Sequence, residues 1–138
     1  MEIGFTGTRN ELTPKALNEL TLALIDLKDN NEITMCHHGD CTGADLAFHN
    51  ICMQIGLPVM VHPPIRDDLR AYCKGTHIRS PLGYFERNRV IVTLSDILFG
   101  CPWTMEETQG GTWYTINYAK EKGVPVQMVW PEELAETL

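Results

Sequence analysis

The sequence has no long apolar run. Nothing in its 138 residues approaches the roughly 20 consecutive apolar positions that a bilayer-spanning helix requires, so no membrane partner is expected. The opening stretch, MEIGFTGTRN, lacks a basic segment followed by an apolar one. It therefore reads as carrying no secretory signal, and the expected location is cytoplasmic. Basic residues are few: 11 Lys and Arg stand against 18 Asp and Glu, a formal net charge of −7. A nucleic-acid backbone usually demands a basic footprint, so no nucleic-acid partner is expected. A single nucleotide is not excluded, because backbone N–H groups and one or two arginines suffice for its phosphates. Repeats, linkers and low-complexity segments are also missing, which leaves residues 1–138 to form one domain.

Paired metal-ligand spacing is missing too. The five cysteines (Cys36, Cys41, Cys52, Cys73 and Cys101) are an odd number and scattered, as reduced thiols would be. CHHGDC concentrates thiolate and imidazole at Cys36, His37, His38 and Cys41, but no second ligand pair follows at zinc spacing, so no metal and no cofactor are expected. His62 and His77 have no evident partner, and no Ser-His-Asp or Cys-His arrangement can be placed from spacing.

What is present is an alternation of strand and helix. EIGFT, ITMCHHG, PVMVHPP, ILFGCPW and VPVQMVW read as strands; they are apolar without alternation, as in a parallel sheet covered on both faces. Between them lie helical patterns. The first starts at Thr13-Pro14, an N-cap followed by proline in the first turn, and carries Leu17, Leu20, Leu24 and Leu27 on one stripe. A second helix starts at Thr42 and stops at Gly56 and Pro58, a third includes ERNR, and a last one starts at Thr112 and ends at Gly123. The expected fold is α/β: a single three-layer Rossmann-like domain, its mostly parallel sheet of about five strands flanked by helices on both faces. The aperiodic stretch 65–83 is too long for a plain connection and reads as functional or mobile.

In such sheets ligands bind beyond the carboxyl ends of the strands. Three glycine-bearing segments fall there: TGTRN, HHGDCTGAD and PWTMEETQGGTW. Gly110 and Gly111 before a capping Thr112 would leave N–H groups open to an anion, although glycine and threonine also suit a plain capped loop. Gly39, Thr42 and Gly43 would form an opposing wall. Asp45 stands three residues after Thr42, the capping-box spacing, or else takes a ribose hydroxyl or orders the loop. Thr8 and Arg9 follow the first strand, where an arginine fork suits phosphate or carboxylate and a solvated arginine is the rival reading. Glu86, Arg87, Asn88 and Arg89 open toward a cleft or form only a helical ion pair. Trp103, Trp113, Tyr84 and Tyr114 lie near these loops and could stack on a base, though aromatics at helix starts are more often core.

Together these segments resemble the SLOG superfamily, Rossmann-like nucleotide-binding proteins that include the Lonely Guy phosphoribohydrolases and the DNA-processing protein A domain, with a small YpsA-related branch most similar. The likeness runs through Gly7-Thr8-Arg9, then His38, Gly39, Cys41, Gly43-Ala44-Asp45 and Ala47, then Arg87-Asn88 to Asp96 and Pro102, then Gly110-Gly111-Thr112, Thr115, Ala119 and Gly123 to Val126; the stretch 65–83 lies outside it. It implies a nucleotide or nucleotide-derived ligand (a nucleoside phosphate or an NAD/ADP-ribose type) held by Thr8, Arg9, Gly39, Asp40, Thr42, Gly43, Asp45, Arg87, Asn88, Gly110, Gly111, Thr112, Trp113 and Thr115. A sensor or sequestering module is the first expectation, with self-association into a homo-oligomer. An N-glycosidase releasing free base is the second. Glu86-Arg87 looks like half of the enzymes' catalytic pattern, whereas Thr115 stands where their glutamate would be; Glu106, Glu107 or Asp45 could supply the missing carboxylate.

Overall fold

In the computed structural model, which describes residues 1–132, the chain alternates as read, with one strand more than expected. The elements are β1 (Glu2–Gly7), α1 (Pro14–Asn30), β2 (Met35–His38), α2 (Ala44–Ile55), β3 (Val59–Val61), β4 (His77–Ile78), α3 (Tyr84–Leu94), β5 (Ile97–Cys101), α4 (Gly111–Glu121) and β6 (Val126–Met128). The six strands form one sheet in the order β4-β3-β2-β1-β5-β6, and every neighbouring pair is parallel. The added strand is β4, two exposed residues on the edge inside the aperiodic stretch; so short a strand has no periodicity to read.

The order reverses at β1. From β1 the chain winds outward through α1, β2, α2 and β3, then returns across the sheet to β5 and β6. Right-handed crossovers therefore put α1 and α2 on one face and α3 and α4 on the other, and the helices do pack together in those two pairs. The larger core lies under α1 and α2, where Phe5 and Phe48 stack at 4.5 Å over Leu20, Leu24 and Val59; Ile91, Val92, Leu98 and Ala119 form a smaller core under α3 and α4. None of the described helices is long and apolar enough to cross a membrane.

The helix starts divide. Thr13 caps α1 as expected, its hydroxyl accepting from the Ala16 N–H at 3.1 Å with Pro14 in the first turn. Thr42 and Thr112 do not cap. The N-caps of α2, α3 and α4 are Gly43, Gly83 and Gly110, and none supplies a side-chain cap. Gly43 has a reason to be glycine: its φ is +87°, and a Cβ there would sit 2.3 Å from the Arg9 carbonyl oxygen. The turn thereby brings the β1–α1 loop against the start of α2, where the Ala44 N–H donates to the Thr8 carbonyl at 2.9 Å.

Candidate functional site

At the carboxyl end of β1, where the sheet order reverses, a cavity of about 480 Å³ opens between the starts of α3 and α4. That position is where open α/β sheets place ligands, and the volume suits a small molecule. Thr8, Arg9, Gly39, Asp45, Arg87, Asn88, Gly110, Gly111, Thr112 and Trp113 line it, so the three glycine-bearing segments do converge.

Arg87 forms the floor. It is 5% exposed, and its guanidinium is tied to the ends of two strands: Nη1 donates to the carbonyls of Gly39 and His62, the latter at 3.0 Å. Nε donates to the Asn88 Oδ1 at 2.7 Å. This last bond fixes the amide's orientation, because an oxygen accepting from Arg87 leaves Asn88 Nδ2 as a donor. Nδ2 lies 4.0 Å from where a Cβ on Gly111 would be, next to the start of α4. Gly39 cannot carry a side chain here, since a Cβ would stand 2.5 Å from Arg87 Nη1. Tyr84 carries the second arginine: its ring centroid lies 4.7 Å from Arg9 Cζ and 5.5 Å from Arg87 Cζ.

The helix starts add further donors. The first intrahelical bonds run from Arg87 N–H to Gly83 and from Tyr114 N–H to Gly110, so the N–H groups of residues 84–86 and 111–113 have no intrahelical acceptor. With glycine at both caps no side chain covers them. Trp113 adds a buried indole N–H that has no partner among the described residues. Against all these donors stands one carboxyl group among the described residues, Asp45. Its Oδ2 accepts from the Cys41 N–H at 3.1 Å, and burial pushes its pKa up to about 6 against the opposing charge of Arg87. Burial likewise pushes up the neighbouring Cys41 thiol, with the Asp45 charge adding to the effect.

Several expected residues are not part of this wall. Asp40 is fully buried with φ 57°, its carboxylate taking Arg70 Nε at 2.7 Å and the Cys73 N–H at 2.8 Å. It anchors the 65–83 stretch to β2 and does not line the cavity. Thr42 and Gly43 face a different depression, between α1 and α2. Thr115 is buried within α4, its hydroxyl donating to the Gly111 carbonyl at 2.8 Å, and Tyr114 packs on Phe85. Glu86 is exposed on α3 outside the cavity. Glu106 and Glu107 are also outside, Glu107 accepting from Asn117 Nδ2 at 2.7 Å. The helical period explains Glu86: with Arg87 and Asn88 turned inward, the residue before them turns out. Phe85, in contrast, lines the cavity and was not anticipated; an aromatic one position before ERN was the available signal.

The metal-ligating atoms gather elsewhere. His38, His49 and Cys73, all buried, have donor atoms within 4.8 Å of one another, whereas His37 turns to Glu2 and His62. His38 Nδ1 accepts the Asp40 N–H at 2.9 Å, so the proton sits on Nε2 and is donated to His49 Nδ1 at 3.0 Å. A metal on Nε2 would need a proton on Nδ1, facing another N–H. The cluster fits a hydrogen-bond chain better than an ion.

No family model and no curated protein matches the chain. Solved structures do. The molybdenum cofactor binding protein from the phototrophic bacterium Rippkaea orientalis superposes with a TM-score of 0.71 at 18% identity, over 95% of this chain and 77% of that one. DNA processing protein A from Streptococcus pneumoniae gives 0.69 at 20% identity over 92% of this chain, which spans only 49% of that protein. DNA processing protein A from Helicobacter pylori, described for its single-stranded DNA binding mode, gives 0.70 at 16% identity, over 99% and 68%. The exclusion of nucleic acid from net charge is thereby corrected, since this fold serves a protein that binds single-stranded DNA. Net charge sums the whole surface, whereas a binding site samples only its own part of it. With these likenesses added to its parallel six-stranded sheet, the chain has the three-layer Rossmann-like α/β fold of these structures.

Proposed function

We propose that this chain is a binding module for a nucleotide or nucleotide-derived small molecule, acting as a sensor or sequestering protein. The observation that carries it is the one-sided chemistry of the cavity. Arg9, Arg87, Asn88 Nδ2 and the open N–H groups at the start of α4 are all donors, and Asp45 is the one carboxyl lining the space among the described residues. Such a wall selects an oxyanion, with Gly110, Gly111 and Thr112 against a phosphate and Asp45 within reach of a sugar hydroxyl. Self-association has apolar surface to draw on, with Leu22 of α1 and Met53 of α2 more than half exposed.

Calorimetric titration with AMP, ADP, ADP-ribose and inorganic phosphate tests the reading. Binding of at least one phosphate ester is expected, weakened at least ten-fold by Arg87→Gln. Ligands that bind equally well to that variant would sink it. Retention of single-stranded DNA in preference to any mononucleotide would replace the small ligand with a strand.

The second reading, an N-glycosidase, is favoured by one feature: a buried cavity carboxyl with its pKa raised to about 6, suited to proton transfer near neutrality. It predicts release of free base, abolished in Asp45→Asn and unaffected in Glu86→Gln. A nucleotide recovered intact after long incubation argues for binding alone.

A further inference from the structure

The cavity is polar at its floor and aromatic at its rim. Arg87, Asn88 and Asp45 are each at least nine-tenths buried, whereas Phe85 and Trp103 are 55% and 53% exposed and line the same space. Half-exposed side chains are common singly, but two large aromatics lining one cavity form an apolar patch of the kind that marks a ligand site. They come from different elements, Phe85 from the first turn of α3 and Trp103 from the segment after β5. Phe85 is held in place by an edge contact with Tyr114, ring centroids 4.5 Å apart at 64°. Trp103 has no aromatic partner among the described residues.

We infer that Phe85 and Trp103 take the planar heterocycle of the ligand at the rim, so that it enters phosphate first with its ring outermost. This rests on the anion site proposed above and adds the ligand's orientation and the basis of its selectivity. The rim offers little that could read the edges of a base. The Thr104 hydroxyl donates to the Glu106 carbonyl at 2.9 Å, and the Thr108 oxygen accepts the Gly110 N–H at 3.3 Å, which leaves little beyond the Thr108 proton to read a base edge. A base held by its faces alone is bound with little regard to its identity, because every base has a π-face. The site therefore distinguishes strongly between ligands with and without a ring, and weakly among bases.

Titration of the intact chain with AMP, GMP, CMP, UMP and ribose 5-phosphate tests this. The four nucleotides are expected to bind within about ten-fold of one another, and ribose 5-phosphate roughly 5- to 150-fold more weakly, the range a stacked base contributes. In Phe85→Ala/Trp103→Ala, both changes being at exposed positions, the nucleotides should fall to the affinity of ribose 5-phosphate, which itself should not change. Equal wild-type affinity for AMP and ribose 5-phosphate overturns the clamp, as does a preference above 100-fold for one base. A double variant that loses ribose 5-phosphate as well shows that the aromatics support the fold of the site and do not hold the ring. If none of the five binds, the anion site itself fails and the clamp with it. An oligothymidylate bound far more tightly than any mononucleotide gives the rim to a nucleic-acid strand.

Discussion

Asp45 shows how one spacing can fit two roles, the cap of a helix and the ordering of the loop before it. Three residues after Thr42 it has the spacing of a capping box, yet the N-cap of α2 is Gly43 with no side-chain cap, and the carboxylate reaches back to the Cys41 N–H. Burial raises its pKa from 3.8 to about 6, so the folded chain holds this proton more tightly than the unfolded one. Its contribution to stability is thus greatest below about pH 4 and falls as pH rises to about 6. Asparagine keeps an oxygen for the Cys41 N–H and carries no charge to bury. Asp45→Asn should be more stable than the parent above pH 6, by up to roughly 3 kcal/mol from the size of the shift, and the difference should close toward pH 4. Urea unfolding at pH 7.5 and pH 4.5 checks it; a gap that does not shrink on acidification means the carboxyl is not perturbed. A tighter fold that binds nucleotide less well would mark a charge kept for the ligand's sake.

At the scale of elements, the apolar strand runs, the Thr13 cap and the glycine stop of α2 were legible because each rests on a local rule. The starts of α2 and α4 were not. Glycine and threonine are both common at helix starts, and adjacent candidates differ only in which backbone turns first. The difference matters for function: a threonine cap would satisfy an N–H group that a glycine cap leaves open. Gly110 sits at φ −73° and ψ 167°, a conformation open to any residue, and the nearest atom to a Cβ there is Thr108 Oγ1 at 3.5 Å. Neither strain nor crowding demands glycine, so an added side chain would cost the cavity and not the fold. Gly110→Asp should cap α4 and raise stability by about 0.5 kcal/mol, a few tenths from the cap and the rest from the helix dipole. The same carboxylate would occupy the open N–H groups and repel a phosphate, lowering nucleotide affinity by at least ten-fold. Thermal melts and calorimetry together decide it, and a stabilised variant that still binds places the anion elsewhere.

For the whole molecule, the buried histidines set a limit that no local pattern announces. His37, His38, His49 and His62 come from β2, α2 and the segment after β3 and meet inside the protein as two pairs, His37 with His62 at 2.9 Å and His38 with His49 at 3.0 Å. In the sequence only the first two were neighbours; the sheet register that brings the others to them is a property of the fold. Burial lowers all four pKa values, that of His62 to about 3, and within each pair a charge on one ring disfavours a charge on the other. The unfolded chain therefore takes up protons below about pH 6.5 that the folded chain refuses, and stability is lost as pH falls. Asp45 acts in the opposite sense over part of that range but is one group against four. Urea midpoints should fall from pH 7 to pH 5, and His62→Gln, which breaks one pair, should flatten the fall. Titration of any of these four imidazoles near pH 6.5 in the folded protein would refute the account. The coupling to function runs through the backbone: the His62 carbonyl and the Gly39 carbonyl beside His38 both hold Arg87 Nη1. Charging the histidine layer should loosen the strand ends that aim this guanidinium, so nucleotide affinity should decline in the same pH interval as stability and recover with it on return to pH 7.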